Sequence, residues 1–129
     1  MALRVWNVLS LCSGYGGLDL GLGLAVPGSR TVCHVEVEAY LCHLLVEKIE
    51  AGLLDPAPLW SDVRTFDGRP WRGKVDCLAS GFPCQPFSKA GKLGKSDDPR
   101  YLWNDVRRII GECEPPFVFL ENVANLLRC

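Results

Sequence analysis

A single thiol is set between two prolines in Gly81-Phe82-Pro83-Cys84-Gln85-Pro86-Phe87-Ser88, directly after an apolar run that reads as a buried strand. A thiol fixed in this way suits a nucleophile whose direction of attack must be controlled. Its ordinary pKa of about 8.5 leaves only a few per cent thiolate at neutral pH, so nearby donors or a helix N-terminus would have to help. Packing as a small hydrophobe is the alternative, and it is the reading that fits Cys12, Cys33, Cys42, Cys77 and Cys113. Glu121, followed by Asn122, ends the last apolar run. A carboxylate there could hydrogen-bond or protonate a substrate ring nitrogen while the thiol attacks; capping a helix is its competing role.

A second group of residues suits a nucleotide. Ser13-Gly14-Tyr15-Gly16-Gly17 follows the first apolar run, where backbone N–H groups and a helix N-terminus can approach a ligand. Glu36, at the end of the second run, could hold ribose hydroxyls, and Asp62, after the third, could accept from an adenine amino group. Each has a plainer reading, a tight turn for the glycines and a loop cap for Asp62. The glycines also do not spell the dinucleotide pattern G-x-G-x-x-G.

These residues need elements to carry them. Residues 5–12 form a short apolar run, and a helical pattern starts at Leu18. Residues 31–37 predict a second strand. Residues 39–51 predict a helix with Leu41, Leu44, Leu45 and Ile49 on one face and Gly52 at its end. A weak strand at 59–61 and a clear one at 75–80 follow. Residues 82–100 read as irregular, 101–113 as an amphipathic helix begun by Asp98-Pro99, and 117–120 as a strand after Pro115-Pro116. The alternation predicts an α/β fold, an open and mostly parallel sheet with helices on both faces and the functional groups at the carboxyl ends of its strands.

Composition narrows the class. With 129 residues, 48% of them hydrophobic and 22% charged, the chain fits one domain with one core. A net charge of -1 excludes a global basic footprint, so nucleic-acid contacts must be local or supplied by another piece. Seven scattered cysteines with no C-x-x-C pair argue against a disulfide framework or a zinc site and for a reducing cytosol. The first residues resemble a signal peptide only superficially: Asn7 interrupts the apolar run, and Leu11 stands where a small residue should precede a cut at Cys12. No segment is apolar for long enough to suggest a membrane span.

In order and spacing, the glycine loop, Glu36, Asp62, the GFPCQPFS thiol motif, Asp98-Pro99-Arg100-Tyr101-Leu102-Trp103 and Glu121-Asn122-Val123 resemble the DNA (cytosine-5)-methyltransferases over essentially the whole chain. The resemblance implies a Rossmann-like, S-adenosylmethionine-dependent methyltransferase fold, truncated after its fifth strand. It implies that the cofactor lies over Ser13, Gly14, Tyr15, Gly16 and Gly17, with Glu36 and Val37 at the ribose and Asp62, Val63 and Leu102 near the adenine. It implies Cys84 as the nucleophile that adds to carbon 6 of a cytosine flipped out of duplex DNA, and Glu121 as the group supporting the adduct at ring nitrogen 3. Pro83, Gln85, Ser88, Lys89, Lys92, Lys95, Arg100 and Asn122 would face the base or the DNA, the lysines swinging toward phosphates on the Gly91 and Gly94 hinges. A cytoplasmic setting, bacterial or phage-like, follows from the same resemblance.

Two departures stand out. Where the family has Asp-Leu-Phe before the glycine loop, this chain has Ser10-Leu11-Cys12, so the phenylalanine expected to stack on adenine is a thiol. The family's later arginine-containing motif, target recognition domain and closing cofactor segment have no counterpart within residues 1–129, which read as one cofactor-binding catalytic subdomain. Two readings therefore stand beside each other: a cytosine methylation module that is incomplete by itself, and a non-catalytic cofactor-binding or assembly module. In either, the strand at 117–120 is expected to leave an open edge that captures a second copy or a complementing chain. A nicotinamide-dependent oxidoreductase is disfavoured, since Cys84 and Glu121 would have no task in it.

Overall fold

The computed structural model describes residues 5–83 and 101–122; Cys84, Gln85, Ser88, Lys89, Lys92, Lys95 and Arg100 lie outside them. Five strands, β1 (Asn7–Leu11), β2 (Arg30–Val35), β3 (Leu59–Trp60), β4 (Cys77–Ser80) and β5 (Phe117–Leu120), form one sheet in the order β3-β2-β1-β4-β5. All four pairings are parallel. The chain leaves β1 in one direction to build β2 and β3 and returns to build β4 and β5, so the order reverses at β1, where open sheets of this kind form their ligand crevice.

The strands are short because their apolar runs are short, and their alternation sorts them onto two faces. Leu9, Leu11, Cys33, Val35 and Leu78 point to one face, where Val106, Ile109 and Cys113 of α3 (Trp103–Cys113) cover them. Val8, Cys77 and Ala79 point to the other, against Leu22 of α1 (Gly17–Ala25). The third helix, α2 (Ala39–Glu50), buries Leu45 completely beside the start of α1. Helices therefore flank both faces, as the alternation of elements implies. Strand β1 begins later than the apolar run suggests, at Asn7, whose amide donates to Asp76 Oδ2 instead of to a strand. Helix α3 likewise starts at Trp103, with Leu102 as its N-cap residue. A 3-10 turn, Arg69–Trp71, interrupts the polar stretch before β4.

The pairing of β1 with β2 is irregular at one point. Val8 pairs with Thr31 but Leu9 pairs with Cys33, so β2 carries one extra residue, a bulge at Val32. Without it, Thr31 and His34 would point to opposite faces of the sheet. With it, both point to the α1 face, alongside Ser10.

Strand β5 is exposed throughout: Phe117, Val118, Phe119 and Leu120 are between 40% and 51% accessible. Among the described residues it pairs only with β4, and its four side chains are exposed.

Candidate active site

Cys12 leaves β1 with φ of 52°, a left-handed conformation that is costly for a side chain with a Cβ, and the chain turns at once through Gly14, also left-handed at φ 56°. Gly16, at φ 79°, is the N-cap residue of α1, and a Cβ there would come within 2.9 Å of a Leu54 methyl. Glycine is favoured at that position by its backbone conformation, while the Leu54 methyl is the end of a flexible side chain that can shift.

The turn is tied to the end of β2 by Glu36. Its Oε2 accepts from the Gly14 amide at 2.7 Å, and its Oε1 accepts from the Val37 and Glu38 amides, each at 2.9 Å. The carboxylate is buried, and three charge-assisted hydrogen bonds to backbone compensate the loss of water. A carboxylate offers about four lone-pair sites, so acceptor capacity remains for a ligand.

A cleft of about 430 Å³ opens beside this acid, within the range of about 300–1,000 Å³ usual for small-ligand sites. Of the residues expected at a cofactor, Gly14, Glu36, Val37, Asp62, Val63 and Leu102 line it. Ser13, Tyr15, Gly16 and Gly17 do not. Ser13 turns its hydroxyl to Ser10 and His34, Tyr15 is 60% exposed with its carbonyl accepting from Lys48, and the two glycines begin α1. Pro83, expected at the substrate, lines the same cleft, as does Gly81.

Read from residue type alone, Leu41, Arg64 and Cys12 were missed as parts of this wall, although the family resemblance puts Cys12 where a ring would stack on adenine. Leu41 was legible as an apolar position of α2, and its place near the helix start puts it at the cleft. Arg64 was not legible. Its Nε and Nη2 grip the Asp62 carboxylate at 2.8–3.1 Å while its amide donates to Oδ1, which holds that carboxyl below its usual range. The acceptor expected for an adenine amino group is therefore already engaged. Cys12 is half-buried and faces the cleft instead of filling the core, unlike Cys33, Cys77 and Cys113, which do pack inside. Cys42 is also only half-buried. Burial, then the charge of Glu36, pushes the Cys12 thiol up to about 12, with the Ser80 hydroxyl opposing. Such a thiol is neutral at physiological pH. No aromatic ring stands among the described lining residues, so Cys12 leaves the wall aliphatic.

The loop bearing Asp62 and Val63 is held by α3. Arg108 donates to the carbonyls of Val63 and Phe66 at 3.0 and 2.9 Å and pairs with Glu112 one turn on, whose Oε2 accepts from the Gly68 amide. The Arg108 and Glu112 pair was visible as an i, i+4 spacing, but its backbone targets 42 and 45 positions away were not.

Across β1 from Glu36, β4 runs into Gly81-Phe82-Pro83. Phe82 is buried and stacked on Trp103 of α3, with ring centroids 5.6 Å apart, which anchors the segment directly before Cys84. The Glu121 amide donates to the Ser80 carbonyl at 2.9 Å, and its Oε2 lies 3.4 Å from where a Cβ on Gly81 would sit. Asn122 Nδ2 donates to the Phe82 carbonyl at 2.9 Å. The acidic motif and the entry to the thiol motif are thus adjacent at the carboxyl edge of the sheet. No cluster of three metal-ligating side chains is found among the described residues.

A family model for the C-5 cytosine-specific DNA methylases matches residues 6–129. The chain belongs to that family. It is 39% identical over 120 residues to the Type II methyltransferase M.NgoMIV of Neisseria gonorrhoeae, covering 92% of this chain and 36% of that protein. It is 38% identical over 129 residues to M.Eco47II of Escherichia coli, covering 96% of this chain and 28% of the other. The chain thus spans about a third of the length of these curated relatives. A solved methylase-type fold, the Dnmt2 methyltransferase of S. pombe, superposes with a TM-score of 0.71 at 21% identity, over 95% of this chain and 38% of that one. The family accounts for the Rossmann-like sheet, with β1 at its centre and the cleft along the carboxyl ends of its strands.

Proposed function

We propose that the chain forms the cofactor-binding and nucleophile-bearing part of an enzyme that methylates carbon 5 of cytosine in duplex DNA with S-adenosylmethionine. The observation that carries this reading is one cleft lined both by a buried, backbone-anchored carboxylate (Glu36) and by Gly81 and Pro83, which lead into Cys84. A dipolar ligand with a diol and a flat heterocycle fits the donor set: the spare acceptor capacity of Glu36 for hydroxyls, and Val37, Leu41, Val63 and Leu102 for an apolar ring. When bound, S-adenosylmethionine supplies a methyl carbon made electrophilic by its sulfonium.

In this reading Cys84, which lies outside the described residues, adds as thiolate to carbon 6 of the flipped cytosine. The ring then carries enamine character, and carbon 5 can take the methyl group. Glu121 stabilises the adduct by hydrogen bonding at ring nitrogen 3. A base, water among the candidates, takes the carbon 5 proton; the freed electron pair reforms the carbon 5–carbon 6 double bond, expels the Cys84 thiolate and restores aromaticity. Pro83 and Asn122 shape the base side, while Gln85, Ser88, Lys89, Lys92, Lys95 and Arg100 engage the DNA. The bacterial relatives and the free thiols support a cytoplasmic setting of bacterial or phage-like kind.

Exposure of all four residues of β5 favours a second reading, a cofactor-binding or assembly module that acts only with a second copy or a complementing chain on that edge. The test of the first reading is a fusion in which this chain replaces the matching part of M.NgoMIV, challenged with DNA carrying 5-fluorocytosine. The fluorine blocks the final elimination, so a covalent protein–DNA species should accumulate and vanish in Cys84→Ser. An undiminished adduct in that variant would move the nucleophile elsewhere.

A further inference from the structure

Beneath the glycine turn, on the α1 face of the sheet, lies a polar group that the methylation chemistry leaves unused: buried Ser10, Asp19, Thr31 and His34, with half-buried Ser13. The bulge at Val32 is what gathers it, since it turns both Thr31 and His34 toward Asp19 in the first turn of α1. The hydrogen bonds form one chain. His34 Nδ1 lies 3.2 Å from Ser13 Oγ, and Ser13 Oγ lies 2.8 Å from Ser10 Oγ and 3.1 Å from the Ser10 carbonyl. Ser10 Oγ reaches Asp19 Oδ2 at 2.9 Å, and Thr31 Oγ1 reaches Asp19 Oδ1 at 2.8 Å.

Counting protons gives the direction of every bond. An ionised carboxylate only accepts, so Ser10 and Thr31 spend their single protons on Asp19. Ser13 must then donate its one proton to Ser10, whether to the hydroxyl or to the carbonyl. Nothing is left on Ser13 for His34, so Nδ1 must carry a hydrogen and donate it. His34 Nε2 is buried with no hydrogen-bond partner. A proton there would be an orphaned buried donor, so the ring is neutral.

We infer that His34 is a positioning residue for cofactor binding, acting as the neutral Nδ1–H tautomer at the head of a chain that runs through Ser13 and Ser10 to Asp19 and sets the glycine turn. Ser13 is the pivot. Its amide donates to the Val35 carbonyl, its carbonyl accepts from Gly16, and the next residue, Gly14, donates to Glu36. A Ser13 that has lost its donor from His34 frees the turn whose neighbouring amide holds the acid of the cleft. The groups facing the ring are Ser13 from the turn, Asp19 from α1 and Asp55 from the connection after α2. Both carboxylates favour a charged ring, but burial outweighs them and pushes His34 down.

The inference rests on the cleft being the S-adenosylmethionine site, and its test separates the two. Nitrogen-15 NMR of the chain alone should show His34 with Nδ1 protonated and Nε2 bare at neutral pH; a hydrogen on Nε2 would overturn the tautomer. Calorimetric titration with S-adenosylmethionine should show binding at least about tenfold weaker in His34→Leu, with largely retained affinity in His34→Asn, whose amide N–H can replace the Nδ1 donor. Ser13→Ala should weaken binding comparably, and Ser13→Ala combined with His34→Leu should cost little more than either alone. Ser13→Ala keeps the test decisive if His34→Leu does not fold. Unchanged affinity in folded Ser13→Ala, or full additivity of the two changes, would overturn the positioning role. A wild-type chain that binds no S-adenosylmethionine would overturn the reading of the cleft, and the tautomer would still be decided by NMR.

Discussion

The Gly14 amide lies 2.7 Å from Glu36 Oε2, a bond across 22 positions that joins the turn after β1 to the turn after β2. Because the same carboxylate accepts from Val37 and Glu38, removing it unsettles the turn and the ligand together. Glu36→Ala should weaken S-adenosylmethionine binding by roughly tenfold or more, about 1.4 kcal/mol or above. It should also lower the melting temperature, since three amides lose a charged acceptor. Calorimetry and thermal melts read the two effects separately; a loss of affinity without any loss of stability would contradict that coupling.

Asp62 and Arg64 should respond in opposite directions. Asp62 is engaged by Arg64 through an exposed pair, so breaking it costs the fold little. If Asp62 receives an adenine amino group, Arg64→Ala frees its carboxylate and tightens binding, whereas Asp62→Ala loosens it. Equal losses in both variants would mean that the pair acts on the ligand as a unit.

Acid should destabilise the chain through His34. Burial lowers its pKa in the folded state below the ordinary value of 6.5. The stabilisation tied to the neutral ring is therefore complete above about pH 6.5 and lost as the pH falls through the lower folded value. Denaturant midpoints measured from pH 7.5 downward should fall below pH 6.5, and His34→Asn should flatten that part of the curve.

Cys12 faces the cleft yet should behave as an inert thiol. With its pKa near 12, it carries almost no thiolate at pH 7, so maleimide or iodoacetamide should modify it only once the chain unfolds. Cys33 and Cys113, both near 11, should be protected in the same way. Peptide mapping of protein alkylated in the native state would reveal any exception. Fast labelling of native Cys12 would show that its environment lowers its pKa.

Strand β5 sets the last expectation. Phe119→Lys and Leu120→Lys place charges on its two exposed faces and should reduce any self-association seen by light scattering. Incubated with duplex DNA and methyl-labelled cofactor, the chain alone should transfer no label. Transfer by a monomer would show that residues 1–129 suffice for DNA capture and catalysis.

The order of elements could be read from the sequence because each strand and helix is announced by local apolar periodicity. Leu45, Val106 and Ile109 occupy the buried sides that their spacing implies. What escaped reading depends on partners far along the chain. Arg108 looks like an ordinary solvated helix residue until its carbonyl partners at Val63 and Phe66 are known. Ser10, Thr31 and His34 break otherwise apolar strands, a signal that was available. Their common destination was hidden by the bulge at Val32, which reverses the side on which half of β2 points. Glu36 stood out because an acid closing a buried strand needs donors, and the structure supplies three. Cys12 read as a packing residue by its type and was placed at the cofactor only through the family position it occupies, because nothing in its type reveals a left-handed backbone facing a cleft.

The central place of β1 also sets a timetable for synthesis. On a ribosome, β1 can pair with β2 once residue 35 is free, but its other edge must wait for β4 at residues 77–80. During that interval the nascent chain displays an apolar strand with an unpaired border, the state in which chaperones bind and neighbouring chains tangle. Ligand cannot rescue it, because Gly81, Pro83 and Leu102 complete the cleft only later. Slow codons between residues 36 and 76 would prolong this exposure, and the yield of soluble protein should be most sensitive to translation speed there.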